Sequence, residues 1–213
     1  MKVPDLMKIS ILVSTYGDSL WSDLAHTRAL PSADGQGAYE ILFLHDSDGS
    51  IASVRNRNAE RASGDLLVHL DADDELAPGY LDAMRRALEQ ERGDLPPQPF
   101  LLTPAVSYVH DGRAEPPLFR DRGIPLSEDN WLVVGTLVER ELFHAVGGFS
   151  DYPHGFEDWS LWAKCWKAGA RIVKVPDAVY VAHVNPNSQH RQRWRDHEWQ
   201  VATHNRVRAE LFG

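Results

Sequence analysis

The first seventy residues alternate between strand-like and helix-like stretches. Stretches 9–16, 40–44 and 66–70 are short, apolar and bounded by turn residues, as expected for buried strands. Between them, 20–25 and 51–62 carry apolar residues at helical spacing. This order of strand, helix, strand, helix, strand is typical of a parallel sheet with right-handed crossovers. The chain is therefore predicted to have an α/β fold, with a mainly parallel central sheet flanked by helices.

The rest of the chain predicts further regular elements and two irregular segments. Proline and glycine residues mark 31–37 as a turn-rich break, whereas 111–130 is polar and lacks periodicity. A long irregular segment in a compact domain is more often a functional loop than a simple connection, although mobility alone is the alternative. The predicted elements are helices at 80–92, 139–146, 157–169 and 189–211, and strands at 100–109, 131–138, 171–175 and 178–183.

Composition and charge argue against several classes of protein. The chain has 213 residues, 43% of them hydrophobic, which is enough for one domain with its own core. Its net charge of −9 argues against nucleic-acid binding, which needs a basic face to neutralise phosphates. It has one cysteine, no signal-peptide pattern and no apolar run of the ~20 residues that a membrane helix needs. We expect a soluble, cytoplasmic protein, with peripheral contact to a membrane as the alternative.

Several carboxylates follow the third predicted strand directly. Asp71, Asp73 and Asp74 come after the apolar run 66–70, where the strand should end in the ligand-binding crevice of an α/β sheet. Crowded carboxylates repel one another unless a cation lies among them. Carboxylate oxygens suit Mg²⁺ or Mn²⁺, which in turn suit phosphate oxygens. This stretch therefore predicts a metal-bridged phosphate or diphosphate site, and a solvated acidic turn that caps the next helix is the alternative.

A second acidic pair opens the predicted helix 157–169. Glu157 and Asp158 stand at its N-terminus, where the helix dipole favours the ionised form of a carboxyl group. These two carboxylates either take part in a reaction or only cap the helix.

Six motifs, in order along 9–188, resemble those of a family 2 glycosyltransferase with the GT-A fold. A lone Asp-x-Asp is weak evidence for this family, whereas the ordered set is specific. The motifs are ISILVSTYGDS, ILFLHDSDGS, SVRNRNAERASGDLLVHLDADDEL, GTLVERELFHAVGGF, FEDWSLWAKCWKAG and VYVAHVNPNS. The resemblance implies a single domain over 1–213, divided into a nucleotide-binding part (9–110), an acceptor and catalytic part (111–188) and a C-terminal helix (189–213).

The resemblance also implies a donor and residues that bind it. The donor would be a nucleoside diphosphate sugar, with a UDP-sugar favoured and GDP or dTDP as the other options. Thr15 and Tyr16 would contact the base and ribose, and Asp46 the edge of the base. Arg55 and Asn56 match an Arg-Asn pair near the base and diphosphate, and a solvated helix face is the alternative for both.

The Asp-x-Asp of the family matches Asp71 and Asp73. By this resemblance Asp71 contacts the ribose or donor sugar, and Asp73 coordinates Mn²⁺ or Mg²⁺, which offsets the charge that develops on the leaving diphosphate. His183 stands where the family often has a histidine that ligates the metal or contacts the diphosphate. A buried structural histidine is the alternative.

Catalysis is assigned by the resemblance to the second acidic pair. Asp158 is predicted to be the general base that removes a proton from the acceptor hydroxyl, with Glu157 as its acceptor-side or structural partner. Attack from the face opposite the nucleotide inverts the anomeric centre. A hydroxyl is barely ionised at pH 7, and a positioned carboxylate contributes about 10²–10⁴-fold. The expected activity is a metal-dependent, inverting glycosyltransferase of the hexosyltransferase type that acts on a carbohydrate or other hydroxyl acceptor, with 111–130 as a lid beside the acceptor.

Two other classes fit part of the pattern. A phosphatase of the haloacid dehalogenase type also has an apolar strand ending in Asp-x-Asp, but there the motif belongs on the first strand, followed by Thr or Val. Here two predicted strands precede it and Glu75 follows. A non-catalytic sugar-nucleotide-binding protein is the third class, although binding alone has no need of a base such as Asp158.

Overall fold

The computed structural model describes residues 7–91, 98–121, 123–152, 155–184 and 197–213. The strands within these ranges are β1 (Ile9–Tyr16), β2 (Glu40–Asp46), β3 (Leu66–Leu70), β4 (Glu75–Leu76), β5 (Phe100–His110), β6 (Arg113–Ala114), β7 (Leu137–Glu139) and β8 (Arg171–His183). The helices are α1 (Leu20–Thr27), α2 (Ala29–Asp34), α3 (Ile51–Glu60), α4 (Tyr80–Glu91), α5 (Arg140–Ala145), α6 (Glu157–Lys167) and α7 (His197–Phe212).

One mixed sheet runs through the middle of the chain. Its strand order is β2-β1-β3-β7-β5-β8-β4, with β6 paired to β5. β1 pairs in parallel with β2 and β3, and β5 pairs in parallel with β8. β7 and β4 pair antiparallel with their neighbours. The predicted α/β fold is confirmed, with the parallel pairs extended by short antiparallel strands.

Hydrophobic cores cover both faces of this sheet, which explains why its central strands are almost wholly apolar. Along β1, Ile11 and Val13 enter one core while Leu12 enters the other, as the alternation of side chains in a strand requires. The first core packs against α1, α2 and α4, and the second against α3, α5, α6 and α7. The sheet is therefore held between two helical layers.

The predicted break at 31–37 is wrong, because helix α2 occupies Ala29–Asp34. Pro31 lies in the first turn of this helix. The first backbone N–H groups of a helix have no partner within it, so proline costs no hydrogen bond there. Only the glycine-containing end of the segment forms a turn.

The predicted strand at 131–138 is also mostly wrong. Residues 131–136 are not in a strand, and 133–136 form a turn in which the Thr136 N–H donates to the Val133 carbonyl at 2.9 Å. Gly135 lies so close to Tyr180 that an added Cβ would stand 2.3 Å from the ring. Apolar residues occupy this turn because it is buried, not because it is extended.

The two predicted strands at 171–175 and 178–183 form the single strand β8. Its register with β5 shifts between Pro104 and Ala105, which pair with Val175 and Val179. Pro176 lacks an N–H group and cannot take part in the ladder, so the strand bulges there and continues.

The predicted C-terminal helix is confirmed where the structure describes it. α7 extends to Phe212, whereas the predicted start of that helix, 189–196, lies outside the described residues. Among the described helices, none combines the length and the apolar character needed to cross a membrane.

Candidate active site

A cavity of about 390 Å³ opens at the carboxyl ends of β1 and β3. Its walls come from β1, α1, α3, the loop after β3, β5, the segments before β7 and α6, the start of α6, and β8. The lining residues are Ser14, Thr15, Tyr16, Trp21, Ile51, Arg55, Asp71, Ala72, Asp73, Asp74, Val106, Tyr108, Arg120, Val133, Val134, Gly155, Phe156, Glu157, Asp158, Tyr180, Ala182, His183 and Val184. Both acidic groups identified in the sequence face this one space.

Eight of the ten predicted site residues line the cavity, and Asp46 and Asn56 do not. The Asp46 carboxylate accepts the Asp48 N–H at 2.9 Å and pairs with Arg57, and these contacts lower its pKa. Asn56 accepts the Phe149 N–H at 2.8 Å and donates to the Phe149 carbonyl at 2.9 Å. The amide of Asn56 therefore fastens the loop before α6, and its side chain is not on a solvated face.

The predicted donor-side positions at the end of β1 are adjacent to the acidic loop, residues 71–74. Thr15 is buried, and its hydroxyl lies 2.9 Å from Nδ1 of His45 on the neighbouring strand β2. Tyr16 follows at the strand end and lines the cavity. Parallel pairing of β1 with β2 and β3 places these side chains on the sheet edge that carries Asp71.

The carboxylates after β3 have different partners. Asp71 pairs with Arg55, whereas Asp74 accepts the Tyr180 hydroxyl and the His183 N–H, both at 2.8 Å. These contacts tie the acidic loop to β8. The Arg28 guanidinium donates to the backbone carbonyl of Asp73 at 2.8 Å. The Asp73 carboxylate accepts no hydrogen bond from another residue's side chain within the described ranges, so it is the one in the group that is not committed to the fold.

The acidic loop holds excess negative charge. Burial, followed by the charge of Asp71, raises the pKa of Asp73 to about 6. Burial and the charges of Asp73 and Asp71 raise the pKa of Asp74 well above its ordinary range. Neighbouring carboxylates that oppose one another's ionisation are the electrostatic setting in which a bound cation is favoured.

The side chains present fit a divalent cation held jointly with a diphosphate. In the part of the chain that the structure describes, no three His, Cys, Asp or Glu side chains are arranged to hold a metal by themselves. Mg²⁺ is usually bound by one or two carboxylates together with substrate phosphates, so one uncommitted carboxylate, Asp73, suits it. His183 lies in the cavity, with its Nε2 atom 2.9 Å from Glu75. Its predicted metal ligation stays a prediction.

The second acidic pair begins helix α6, after Phe156 in the left-handed region at φ +68°. Glu157 accepts a hydrogen bond of 2.7 Å from Arg55. Asp158 accepts the Asn130 amide at 2.9 Å through one oxygen and the Trp159 N–H at 2.8 Å through the other. The carboxylate of Asp158 thus satisfies one backbone N–H of the first helical turn and also faces the cavity.

Burial is the largest influence on the pKa values of Glu157 and Asp158. It raises the pKa of Asp158, while the charge of Arg55 opposes that rise. Burial also raises the pKa of Glu157, again opposed by Arg55 and reinforced by the charge of Asp158. A carboxylate with a raised pKa is a stronger proton acceptor whenever it is ionised.

Two residues of the site were not predicted from the sequence. Asn130 donates to Asp158, and Arg120 lines the cavity with its charge near enough to oppose the rise in the pKa of Asp158. Both lie in the aperiodic segment 111–130. The local pattern therefore gave no signal for either residue beyond the general association of long loops with function.

Comparisons with known proteins agree with this architecture. No protein-family model matches the chain. In sequence, the chain is similar to YwdF of Bacillus subtilis (strain 168), described as an uncharacterized glycosyltransferase, with 24% identity over 212 residues. The match covers 82% of this chain and 74% of YwdF.

Solved structures with the same fold include two with bound nucleotide sugars. S. aureus TarS 1-349 in complex with UDP-GlcNAc matches with a TM-score of 0.64 and 16% identity, over 87% of this chain and 61% of that one. The mannosyltransferase PcManGT from Pyrobaculum calidifontis, in complex with GDP-Man and Mn²⁺, matches with a TM-score of 0.65 and 17% identity. That match covers 99% of this chain and 66% of PcManGT. The chain thus spans less than two thirds of either protein, and its fold is that of the GT-A glycosyltransferases.

Proposed function

We propose that the chain transfers a sugar from a nucleoside diphosphate sugar to an acceptor hydroxyl, with inversion at the anomeric carbon. One observation carries this proposal: a single cavity holds the acidic loop after β3 and the acid pair that opens α6. The loop suits a diphosphate with its cation, and the pair suits an alcohol that must lose a proton. A transfer between two substrates needs both in one space.

The donor half of the cavity comprises Thr15, Tyr16, Asp71 and Asp73. The first two would meet the nucleoside at the end of β1, and Asp71 the ribose or donor sugar. Asp73 would hold Mn²⁺ or Mg²⁺, which when bound offsets negative charge on the departing diphosphate. Support for a nucleotide donor comes from the similar TarS and PcManGT structures, which contain UDP-GlcNAc and GDP-Man. We favour a UDP-sugar and retain GDP-sugars and dTDP-sugars as candidates.

The acceptor half contains Asp158 and the segment 111–130. The Asp158 carboxylate would remove the proton of the acceptor hydroxyl as its oxygen attacks the anomeric carbon. The diphosphate leaves from the opposite face, so one bond forms as the other breaks and the configuration inverts. Asn130 and the Trp159 N–H orient the two oxygens of this carboxylate. Glu157 is the partner of the base, and 111–130 is the proposed lid over the acceptor.

The alternatives are less favoured. In the phosphatase class the Asp-x-Asp follows the first strand, whereas here it follows β3, with β1 and β2 before it. A non-catalytic binding protein would share the donor site and differs only in lacking transfer, so it is separated by experiment.

Calorimetry with UDP, GDP and dTDP, each with and without Mn²⁺, tests the donor site. We expect one of the three to bind, and to bind more tightly with Mn²⁺. Thermal stabilisation by a panel of sugars on that nucleotide would then identify the donor. If none of the three binds under either condition, the proposed function is wrong.

The variant Asp158→Asn tests the assignment of the base. The amide keeps the shape of the side chain but cannot accept the proton, so transfer should fall about 10²–10⁴-fold while nucleotide affinity stays nearly unchanged. The matched control is Asp177→Asn, an exposed acid outside the cavity, which should leave transfer unchanged. Transfer at the normal rate by Asp158→Asn would place the base elsewhere.

A further inference from the structure

Arg55 is the buried cation of the cavity wall. Its side chain is only 5% exposed, although it lies on a helix whose neighbouring Arg57 is 47% exposed. One guanidinium nitrogen donates to Asp71, and the other donates to Glu157 at 2.7 Å. The guanidinium lies over the Phe149 ring, 5.2 Å from its centre, on the loop before α6. Arg55 therefore contacts the acidic loop, the acid pair and the Phe149 ring.

The two carboxylates that Arg55 joins belong to different halves of the site. Asp71 ends β3 on the donor side, and Glu157 begins α6 on the acceptor side, 102 residues from Arg55. Guanidinium is planar, and its donors form a rigid fork, so both contacts fix the angle between their partners. A lysine ammonium is a compact point charge, so it could not donate to both carboxylates in this geometry unless the side chains moved.

We propose that Arg55 is a positioning residue that links the donor and acceptor halves of the cavity, holding Glu157 in place and keeping a guanidinium charge beside the acid pair. This role differs from the contact with base and diphosphate that the sequence motif implies. Both arms of the guanidinium are occupied by carboxylates, and its face is covered by Phe149. The inference deepens the proposed function and rests on it for its catalytic meaning.

The charges around Asp158 support this role. Burial raises the pKa of Asp158, and the charge of Arg55 is the largest influence that lowers it, ahead of Arg120. Without Arg55, the cavity wall would hold Asp71, Glu157 and Asp158 with no buried cation beside them. The charged or titratable groups that face Asp158 or its partners in the described chain are Arg55 on α3, Asp71 after β3, Arg120 before β7, Glu157 on α6 and His204 on α7.

Carboxyl titration measures the role of Arg55 without any substrate. The protein would be labelled with ¹³C at aspartate and glutamate carboxyl carbons, and the Asp158 signal assigned by its loss in Asp158→Asn. In Arg55→Gln the titration midpoint of Asp158 should rise by roughly 1–3 pH units, the usual effect of an opposite charge at close range. Arg55→Lys keeps the charge and should keep the midpoint. The control Arg206→Gln, an exposed arginine on α7, should leave it unchanged.

The result that overturns the inference is an unchanged Asp158 midpoint in folded Arg55→Gln. A purely structural arginine would lower the unfolding temperature of that variant without moving the midpoint. If Arg55→Gln does not fold, the double variant Arg55→Gln with Glu157→Gln removes the unpaired buried carboxylate and still lacks the cation. The Asp158 midpoint should be higher there than in Glu157→Gln alone, which has lost the same carboxylate but keeps Arg55. Equal midpoints in these two variants overturn the inference.

Nucleotide release adds a catalytic readout. Release of UDP from UDP-GlcNAc and of GDP from GDP-mannose would be followed with Mn²⁺ as a function of pH. The acidic limb of the rate profile should move to higher pH in Arg55→Gln and stay in place in Arg55→Lys. Failure of the unmodified protein to release either nucleotide counts against the proposed function, whereas the titration still decides the role of Arg55.

Discussion

His69 offers a test of how the buried centre of this fold responds to pH. The side chain is on β3 and is only 1% exposed, and neither ring nitrogen has a hydrogen-bond partner in the described structure. The ring stacks on Phe143 at 5.6 Å and meets the edge of Phe149 at 4.8 Å. Burial, followed by the charge of Arg55, lowers the pKa of His69 well below 6.5. The folded protein therefore holds this imidazole neutral.

The variant His69→Leu replaces the ring with an apolar side chain of similar volume. At pH 7 we expect a small change in the free energy of unfolding. Loss of two unpaired polar atoms stabilises the core by about 1–3 kcal/mol, which the lost aromatic contacts partly offset. The effect of pH is more specific. Below pH 6.5 the unfolded chain binds a proton at His69 that the folded chain does not, so stability falls as pH falls.

The size of this effect follows from linkage. The unfolded-state pKa is 6.5, and the ring stays neutral in the folded state. Lowering the pH from 7 to 5 therefore lowers the free energy of unfolding by about 2 kcal/mol. His69→Leu escapes this cost. The buried carboxyl groups with raised pKa values, Asp73, Asp74, Glu157 and Asp158, act in the opposite direction, since their protonation stabilises the folded state as pH falls. Both proteins carry these groups, so their effect cancels in the comparison.

Urea unfolding at pH 7 and pH 5 measures the difference. The stability of His69→Leu relative to the unmodified protein should increase by about 2 kcal/mol between the two pH values. The exposed His144→Gln serves as the control and should show no such increase. An equal difference at both pH values would refute the reasoning, because it would mean that His69 takes up a proton as readily when folded as when unfolded.

Three further changes test packing and binding. Gly135→Ala should lower the free energy of unfolding by about 1–3 kcal/mol, because its Cβ would overlap the buried Tyr180 ring, whereas Gly35→Ala has open space and should not; urea unfolding measures both. Asn58→Ala should lower the free energy of unfolding by about 1–3 kcal/mol in the same assay, because the buried Asn58 amide donates to backbone carbonyls of β1 and β2. An unchanged free energy of unfolding would contradict that role. Asp73→Asn should abolish the strengthening of nucleotide binding by Mn²⁺ in calorimetry, and an undiminished effect of Mn²⁺ would rule Asp73 out as the ligand.

Residues at the ends of regular elements could be located from the sequence. Asp71 directly follows a short apolar run that suits a buried strand, and Asp158 opens a run with helical spacing. A strand end and a helix start have fixed places in an α/β fold, so the shared cavity was a reasonable expectation. The pattern of local periodicity carries that information because it reports which face of an element is buried.

Other features depend on contacts that the local pattern does not contain. Arg55 meets Glu157 across 102 residues, and its burial could not be read from a helix that also carries exposed arginines. The turn before β7 is apolar because it is buried, with Gly135 packed against Tyr180, and its apolar residues led to the wrong prediction of a strand. Asn130 has a role only because the fold brings it to Asp158. Partners distant in sequence determine each of these features.

Helix α7 packs against the segment that carries Asn130, the partner of Asp158. Val207 and Leu211 of α7 are buried in the second core, and Arg208 donates to the Ser127 carbonyl at 3.1 Å, three residues before Asn130. A helix that packs through a few buried residues can open locally, which exposes its neighbours without unfolding the whole domain. Detachment of α7 would release the loop that orients Asp158 while the sheet and the acidic loop after β3 stayed intact. In the proposed mechanism, proton removal by Asp158 is thus the step most sensitive to local opening, and the proposed nucleotide binding would persist after that step is lost.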